Sequence, residues 1–371
     1  MKQNLPAPLF LLTGAISALL PLCSEAEGPF APLEKLIAAA ETNPKIPGGS
    51  VRVVEDQEIV FDHYFGTFSA DSNFHWDDQT VVAIASISKS ITATLVAVLV
   101  GEEIISFDDP IAKYLPEYGE LKLATSGTTV RSPTIAECLS HTAGFTGGTI
   151  SSLPRNSPVR RGDQADVARH IAEQGLAAQP GSKYAYSFRG YAAVARVIEV
   201  VTQQPIAEVL QTKLLDPLSM TETTFTPGVA LSRRHPLFAD RTEGRSDEDV
   251  AAQIERFRAR SGSFVNVAGS LTSTPNDLQR FLQFHIDQGR VGDQQIVPPA
   301  VLAKLYETQP AAKKYGLGFS LRASGIVGHG GATGTTAQVD LESGRMLIIF
   351  TQAGAANARP LTARAIRIVF P

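Results

Sequence analysis

The spacing of apolar side chains changes character three times along this chain. Residues 33–40 carry apolar positions at helical spacing, and Pro44-Lys45-Ile46-Pro47-Gly48-Gly49 stops the pattern. Residues 50–54 and 58–64 then read as two short strands joined by a polar turn, a hairpin that ends at Gly66. Residues 91–101 contain no charge at all. That predicts a helix apolar on nearly all sides, placed inside a domain and capped near Gly101.

From Asp108 to about Phe264 the pattern is mostly helical, with loops rich in Gly, Pro and Ser. Thr134 and Glu137 make a capping box for a helix ending near Ser140, and residues 191–202 carry another helical stripe. Ser246 and Asp249 open a charged segment to Arg260 that reads as a solvated helix. Thr274, Pro275 and Asp277 supply an N-cap, a first-turn proline and an acidic third residue for a helix through His285. The period then drops to two: 316–321, 326–329, 335–341 and 346–351 read as strands, with turns at Ser324-Gly325 and Ser343-Gly344.

A hairpin at one end and a meander at the other, around a helical middle, predict an α+β fold. One antiparallel sheet is drawn from both chain ends and flanked by helices, with a mostly helical domain inserted between. The boundaries set residues 27–107 and 265–371 as the sheet domain and 108–264 as the helical one. Residues 1–26 read as an export signal: Lys2, an apolar stretch from Leu9 to Cys23 that is short for a membrane span, and Ser24-Glu25-Ala26 with small residues where a signal peptidase cuts. The expected location is therefore periplasmic or secreted.

With 371 residues and 43% hydrophobic content, the chain has material for a large core. A net charge of −4 and no basic run point away from nucleic acid and anionic membranes, toward a small or neutral substrate. Cys23 and Cys138 are the two cysteines, so a chain cut after Ala26 keeps one thiol, expected to be buried and inert.

The uncharged helix begins just after Ser86-Ile87-Ser88-Lys89. An i, i+3 spacing puts the Ser86 hydroxyl and the Lys89 amine on one face within touching distance. Beside so much apolar surface the amine pays to stay protonated, and its pKa falls toward the range where it can take a proton from a serine. The pair reads as a nucleophile with its base. Two further stretches belong with it: the loop Tyr184-Ala185-Tyr186-Ser187-Phe188-Arg189 ahead of a helix, and Gly328-His329-Gly330-Gly331-Ala332 at the end of a predicted strand.

In that order and spacing the chain resembles the superfamily of serine β-lactamases, D-alanyl-D-alanine carboxypeptidases and esterases, nearest its class C-like branch. That superfamily carries S-x-x-K, then Y-x-N, then K-T-G or H-x-G. The stretches Leu139-Ser140-His141-Thr142-Ala143-Gly144-Phe145, Gly269-Ser270-Leu271-Thr272-Ser273-Thr274 and Tyr315-Gly316-Leu317-Gly318-Phe319 are also similar to it. The resemblance implies a β-lactamase/transpeptidase-like fold. It also implies an acyl-enzyme on Ser86, with Lys89 taking the proton and Tyr186 relaying protons to the leaving group and the deacylating water. The resemblance implies further that the backbone N–H groups of Ser86 and Ala332 form the oxyanion hole, and that His329 and Gly331 line the site and help place the substrate. His141 is expected to brace a turn, and Trp76 to serve packing.

Phe188 departs from the pattern, standing where the asparagine of Y-x-N is expected. A phenyl ring cannot bind the acylamino arm of a β-lactam or peptide. The expectation is an apolar wall suited to esters, with Arg189 beside it lowering the Lys89 pKa. The substrate is then a small acyl compound: an ester, a D-amino-acid peptide or, with turnover in doubt, a β-lactam. The competing reading is a catalytically weak penicillin-binding or cell-wall-sensing module. The seven histidines form no H-x-H or H-E-x-x-H pair, no G-x-S-x-G, P-loop or dinucleotide G-x-G-x-x-G is present, and neither metal nor cofactor is implied.

Overall fold

Six strands drawn from the two ends of the chain form one antiparallel sheet. In this computed structural model, residues 28–153, 157, 159, 162–236, 244–261, 263–322 and 325–371 are described. Residues 1–26, read above as an export signal, and Ser324 of a predicted turn lie outside them. The strands are β1 (Gly48–Glu55), β2 (Glu58–Gly66), β3 (Ser320–Leu321), β4 (Ile326–Gly330), β5 (Thr336–Asp340) and β6 (Met346–Thr351). Their order across the sheet is β2-β1-β6-β5-β4-β3. The seam between the chain ends is β1 against β6, in register from Gly49 opposite Thr351 to Val54 opposite Met346.

The sheet alternates as its pleat requires. Val51, Val53, Leu347 and Ile349 point to one side, where they meet α1 (Ala31–Glu41) and a C-terminal helix, Ala355–Val369. Met346, Ile348 and Phe350 point to the other, into the main core. The centre of that core is α2 (Ser88–Gly101), in which every residue from Ser88 to Leu99 is buried. The helices α3 (Ile135–Leu139), α4 (Gln164–Glu173), α5 (Arg189–Thr202) and α7 (Pro275–Ile286) contribute side chains to the same core, whereas α6 (Asp247–Ser261) contributes none among the described residues; the C-terminal helix is α8. The Thr134–Glu137 capping box forms with both of its bonds, and Thr274 caps α7 by accepting the Asp277 N–H.

The structure differs from the sequence reading at two elements. Residues 316–321 give a strand only at Ser320–Leu321, because Gly318 is pressed against α2 with a φ of +84°. A β-carbon there would sit 2.8 Å from the Lys89 carbonyl. Helix α8 has no counterpart in the sequence reading: Pro360 lies inside it and reads locally as a breaker. Cys138 is buried with its thiol pKa pushed well up by burial, and Trp76 is packed in the core.

Candidate active site

Ser86 does not sit in α2 itself but in the 3₁₀ turn Ala85–Ile87 that runs into it. Ala85 ahead of it has φ +46°, a left-handed conformation that a side chain makes costly. The turn is locked by Ser88, whose hydroxyl donates to the Ala85 carbonyl at 2.6 Å and accepts the Leu271 N–H at 3.2 Å. One helical turn on, Lys89 Nζ lies 3.2 Å from Ser86 Oγ and donates to the Ala268 carbonyl at 2.6 Å. Its amine also stands 4.7 Å from the centre of the Tyr186 ring and 5.6 Å from that of Tyr191. Lys89 is 2% exposed. Burial lowers its pKa from 10.5 to about 7.

Burial is the cause, and Arg189 is not. The expected influence of Arg189 fails because its guanidinium donates to the Thr146 carbonyl at 3.0 Å and lies over the Phe188 ring at 5.2 Å. Nor does Phe188 form a wall: at 3% exposure it belongs to the main core, where it leads into α5.

Tyr186 comes from the loop ahead of α5. Burial raises its phenol pKa to about 12, opposed by the nearby Ser86 hydroxyl. At neutral pH it is therefore a proton donor and not a phenolate, so the base among these groups is the amine. The aromatic surface around it comes from Tyr184, which is exposed at 37%, and from Tyr315.

The opposite side is the turn after β4. Thr333 Oγ1 donates to the Ala83 carbonyl at 2.7 Å and Thr335 Oγ1 to the Ile84 carbonyl at 3.3 Å, fastening the turn to the residues that precede Ser86. Gly331 is required by this approach. A β-carbon would overlap Thr335 Oγ1 and lie 2.6 Å from the Ile84 carbonyl. Ala332 is exposed, its carbonyl accepts the Ala355 N–H, and among the described residues its own N–H donates to no protein oxygen.

His329 has both ring nitrogens committed. Nδ1 donates to the Gly330 carbonyl at 2.7 Å, which leaves Nε2 to accept from the Tyr315 hydroxyl at 2.9 Å. Burial and the Lys89 charge push its pKa down to about 3, so the ring is neutral. Neither ring nitrogen is left over for a substrate.

Ser86 and Lys89 on one stretch and Tyr186 on another thus come together, with Gly331 and Ala332 on a third. The sequence reading missed the Ala268 carbonyl, Tyr315, Thr333 and Thr335. Tyr315 stood in a stretch already singled out. A backbone carbonyl such as that of Ala268 leaves no side-chain signal. Among the described residues, no group of three or more His, Cys, Asp or Glu could hold a metal ion, and no helix is long and apolar enough to cross a membrane.

A family model described as Beta-lactamase matches residues 33–369. The chain belongs to that family. It is 27% identical over 338 residues to penicillin-binding protein 4 of Amycolatopsis lactamdurans, covering 86% of this chain and 84% of that protein. It is 26% identical over 247 residues to the D-alanyl-D-alanine-carboxypeptidase/endopeptidase AmpH of Escherichia coli K12, covering 64% of this chain and 57% of that one. Among solved structures, EstCE1, described as a hydrolase with promiscuous acyltransferase activity, superposes with a TM-score of 0.72. That match has 18% identity and covers 91% of this chain and 98% of that one. This Beta-lactamase family member is a β-lactamase-fold hydrolase, related to penicillin-binding proteins and D-alanyl-D-alanine carboxypeptidases, and it shares its fold with a family VIII carboxylesterase at 19% identity and a TM-score of 0.67.

Proposed function

We propose that the protein is an exported serine hydrolase that works through an acyl-enzyme on Ser86, with esters as its preferred substrates and poor turnover of β-lactams. In this reading residues 108–264 form the helical domain that delivers Tyr186. The observation that carries it is Lys89: an amine 3.2 Å from Ser86 Oγ, held by burial at a pKa of about 7, has a lone pair free at working pH.

The Ser86 hydroxyl proton passes to Lys89 as Oγ bonds to the substrate carbonyl carbon. The carbonyl oxygen becomes an oxyanion received by the N–H groups of Ser86 and Ala332. When the leaving oxygen departs, the Tyr186 phenol gives it a proton and regains one from the Lys89 ammonium. Water then attacks the acyl-enzyme by the same route, with Lys89 and Tyr186 taking its proton and returning one to Ser86. Position 188 offers no amide to an acylamino arm, which supports esters over β-lactams and peptides. His329 and Gly331 act in this reading through the strand end they form.

The test is a hydrolysis panel of short p-nitrophenyl esters, D-alanyl peptides and a chromogenic cephalosporin, run beside Ser86→Ala. Turnover of the esters that is lost in the variant is expected; activity that survives in Ser86→Ala removes the assignment. A second reading, a penicillin-binding module that acylates without turning over, is favoured by Phe188 and by the name of the first relative above. Fluorescent penicillin separates the two: a permanent adduct without ester turnover means the module.

A further inference from the structure

We infer that His141 is a positioning residue that fixes the place of the Tyr186 phenol for proton transfer; the inference rests on the roles given above to Ser86, Lys89 and Tyr186. His141 follows α3 with φ +61°, a left-handed conformation for a residue with a full side chain. It grips the loop ahead of α5 at two points. Its backbone carbonyl accepts the Ala185 N–H at 2.8 Å, and its ring Nδ1 accepts the Ser187 N–H at 3.1 Å. The two bonds fall on the residues immediately before and after Tyr186. The rings of His141 and Tyr186 are also in contact, with centres 4.3 Å apart.

Because Nδ1 accepts a backbone N–H, the neutral ring must carry its proton on Nε2. Nε2 is buried and among the described residues has no hydrogen-bond partner. The rings of Tyr184, Tyr191 and Tyr315 surround the imidazole, with ring centres 5.9, 5.4 and 5.0 Å from its own. A buried N–H without an acceptor costs stability, and such costs gather at functional sites. A brace of the turn alone needs only the backbone bond. The imidazole adds an acceptor aimed at the one segment that carries the phenol, and the acceptor exists only while the ring is neutral. Burial, with Lys89 and His329 close by, holds its pKa well below the usual histidine value.

The test exploits geometry and leaving-group chemistry together. In His141→Asn the amide oxygen falls near the position of Nδ1; in His141→Gln it falls near Nε2. Both variants keep a polar group of similar size. If His141 places the phenol, His141→Gln loses about tenfold or more in kcat/KM on an ethyl ester, whose leaving alkoxide needs a proton. It loses no more than about threefold on the p-nitrophenyl ester of the same acid, whose leaving group departs without one. His141→Asn stays near the wild type on both. Equal losses on the two esters, or Asn and Gln variants that behave alike, overturn the inference. The reading of Ser86 fails separately, by ester hydrolysis that survives in Ser86→Ala.

Discussion

On one side of the sheet, α1 and α8 are joined to it by a cluster of apolar side chains that includes Leu33, Ile37, Val53, Leu347, Ile349 and Leu361. On the other, polar groups are buried inside the main core and several of them are answered by protein partners. Arg52 on β1 donates to Asn276 and Gln279 of α7, and Ser90 and Thr92 of α2 donate to the carbonyls of Gly318 and Val267. Lys89 is the extreme case, a buried amine held by a single carbonyl beside its serine. The first side gains stability from area removed from water. The second gives some of that up by burying polar groups, which under the proposed function lets a proton acceptor sit in a dry place. Stability and chemistry are therefore separable by mutation in this molecule.

The strongest way to break that separation is Lys89→Met. Loss of the proposed base is expected to lower kcat/KM by about 10²–10⁴-fold, and the fold is expected to gain. Between pH 7 and 10.5 the unfolded chain binds a proton that buried Lys89 does not, so wild-type stability falls as pH falls through that window. Below pH 7 the penalty is fully present, on the order of 5 kcal/mol. Thermal unfolding should show a raised Tm for the variant at pH 6 and a smaller gain toward pH 10. A Tm no higher than the wild type at pH 6 contradicts the burial argument.

The mirror-image variant is Leu347→Ala on the other side, where the side chain is fully buried. A loss of about 2–5 kcal/mol is expected from the cavity, read as an earlier urea midpoint, with kcat of the folded enzyme unchanged. A parallel fall in kcat would mean that the two sides are coupled.

Gly331→Ala sharpens the comparison within the site. The added carbon meets Thr335 and the Ile84 carbonyl, so the turn has to shift and carry the Ala332 N–H with it. About a 10²-fold fall in kcat/KM is expected, the size seen when one oxyanion donor is removed; p-nitrophenyl ester kinetics would read it. The smallest effect needs no mutation. With Lys89 titrating at about 7, kcat/KM should fall about tenfold per pH unit below that value and level off above it. A profile flat down to pH 5 would remove Lys89 as the base.

Much of this was legible from local pattern. The hairpin, the last three strands and the caps at Thr134 and Thr274 are set by neighbours in sequence, so periodicity and capping chemistry find them. Helix α8 was missed because Pro360 argues against a helix locally, while packing on α1 and β6 argues for it. The strand read at 316–321 failed for the converse reason: its residues suit a strand, but Gly318 has to touch α2. Phe188 and Arg189 were misplaced because adjacency in sequence says nothing of direction. One side chain turns into the core and the other to Thr146.

The order of residues by itself determined that a hydroxyl and an amine share one face at the start of an uncharged helix, since backbone spacing and apolar composition are local properties. Only the tertiary structure decided that the amine is dry, that Ala268 holds it, that Tyr186 stands over it and that the turn at Gly331 closes from the other side. Those are contacts between residues up to about 250 positions apart. Burial and hydrogen-bond direction exist only once such segments have met, and they set the proton affinities on which the chemistry depends.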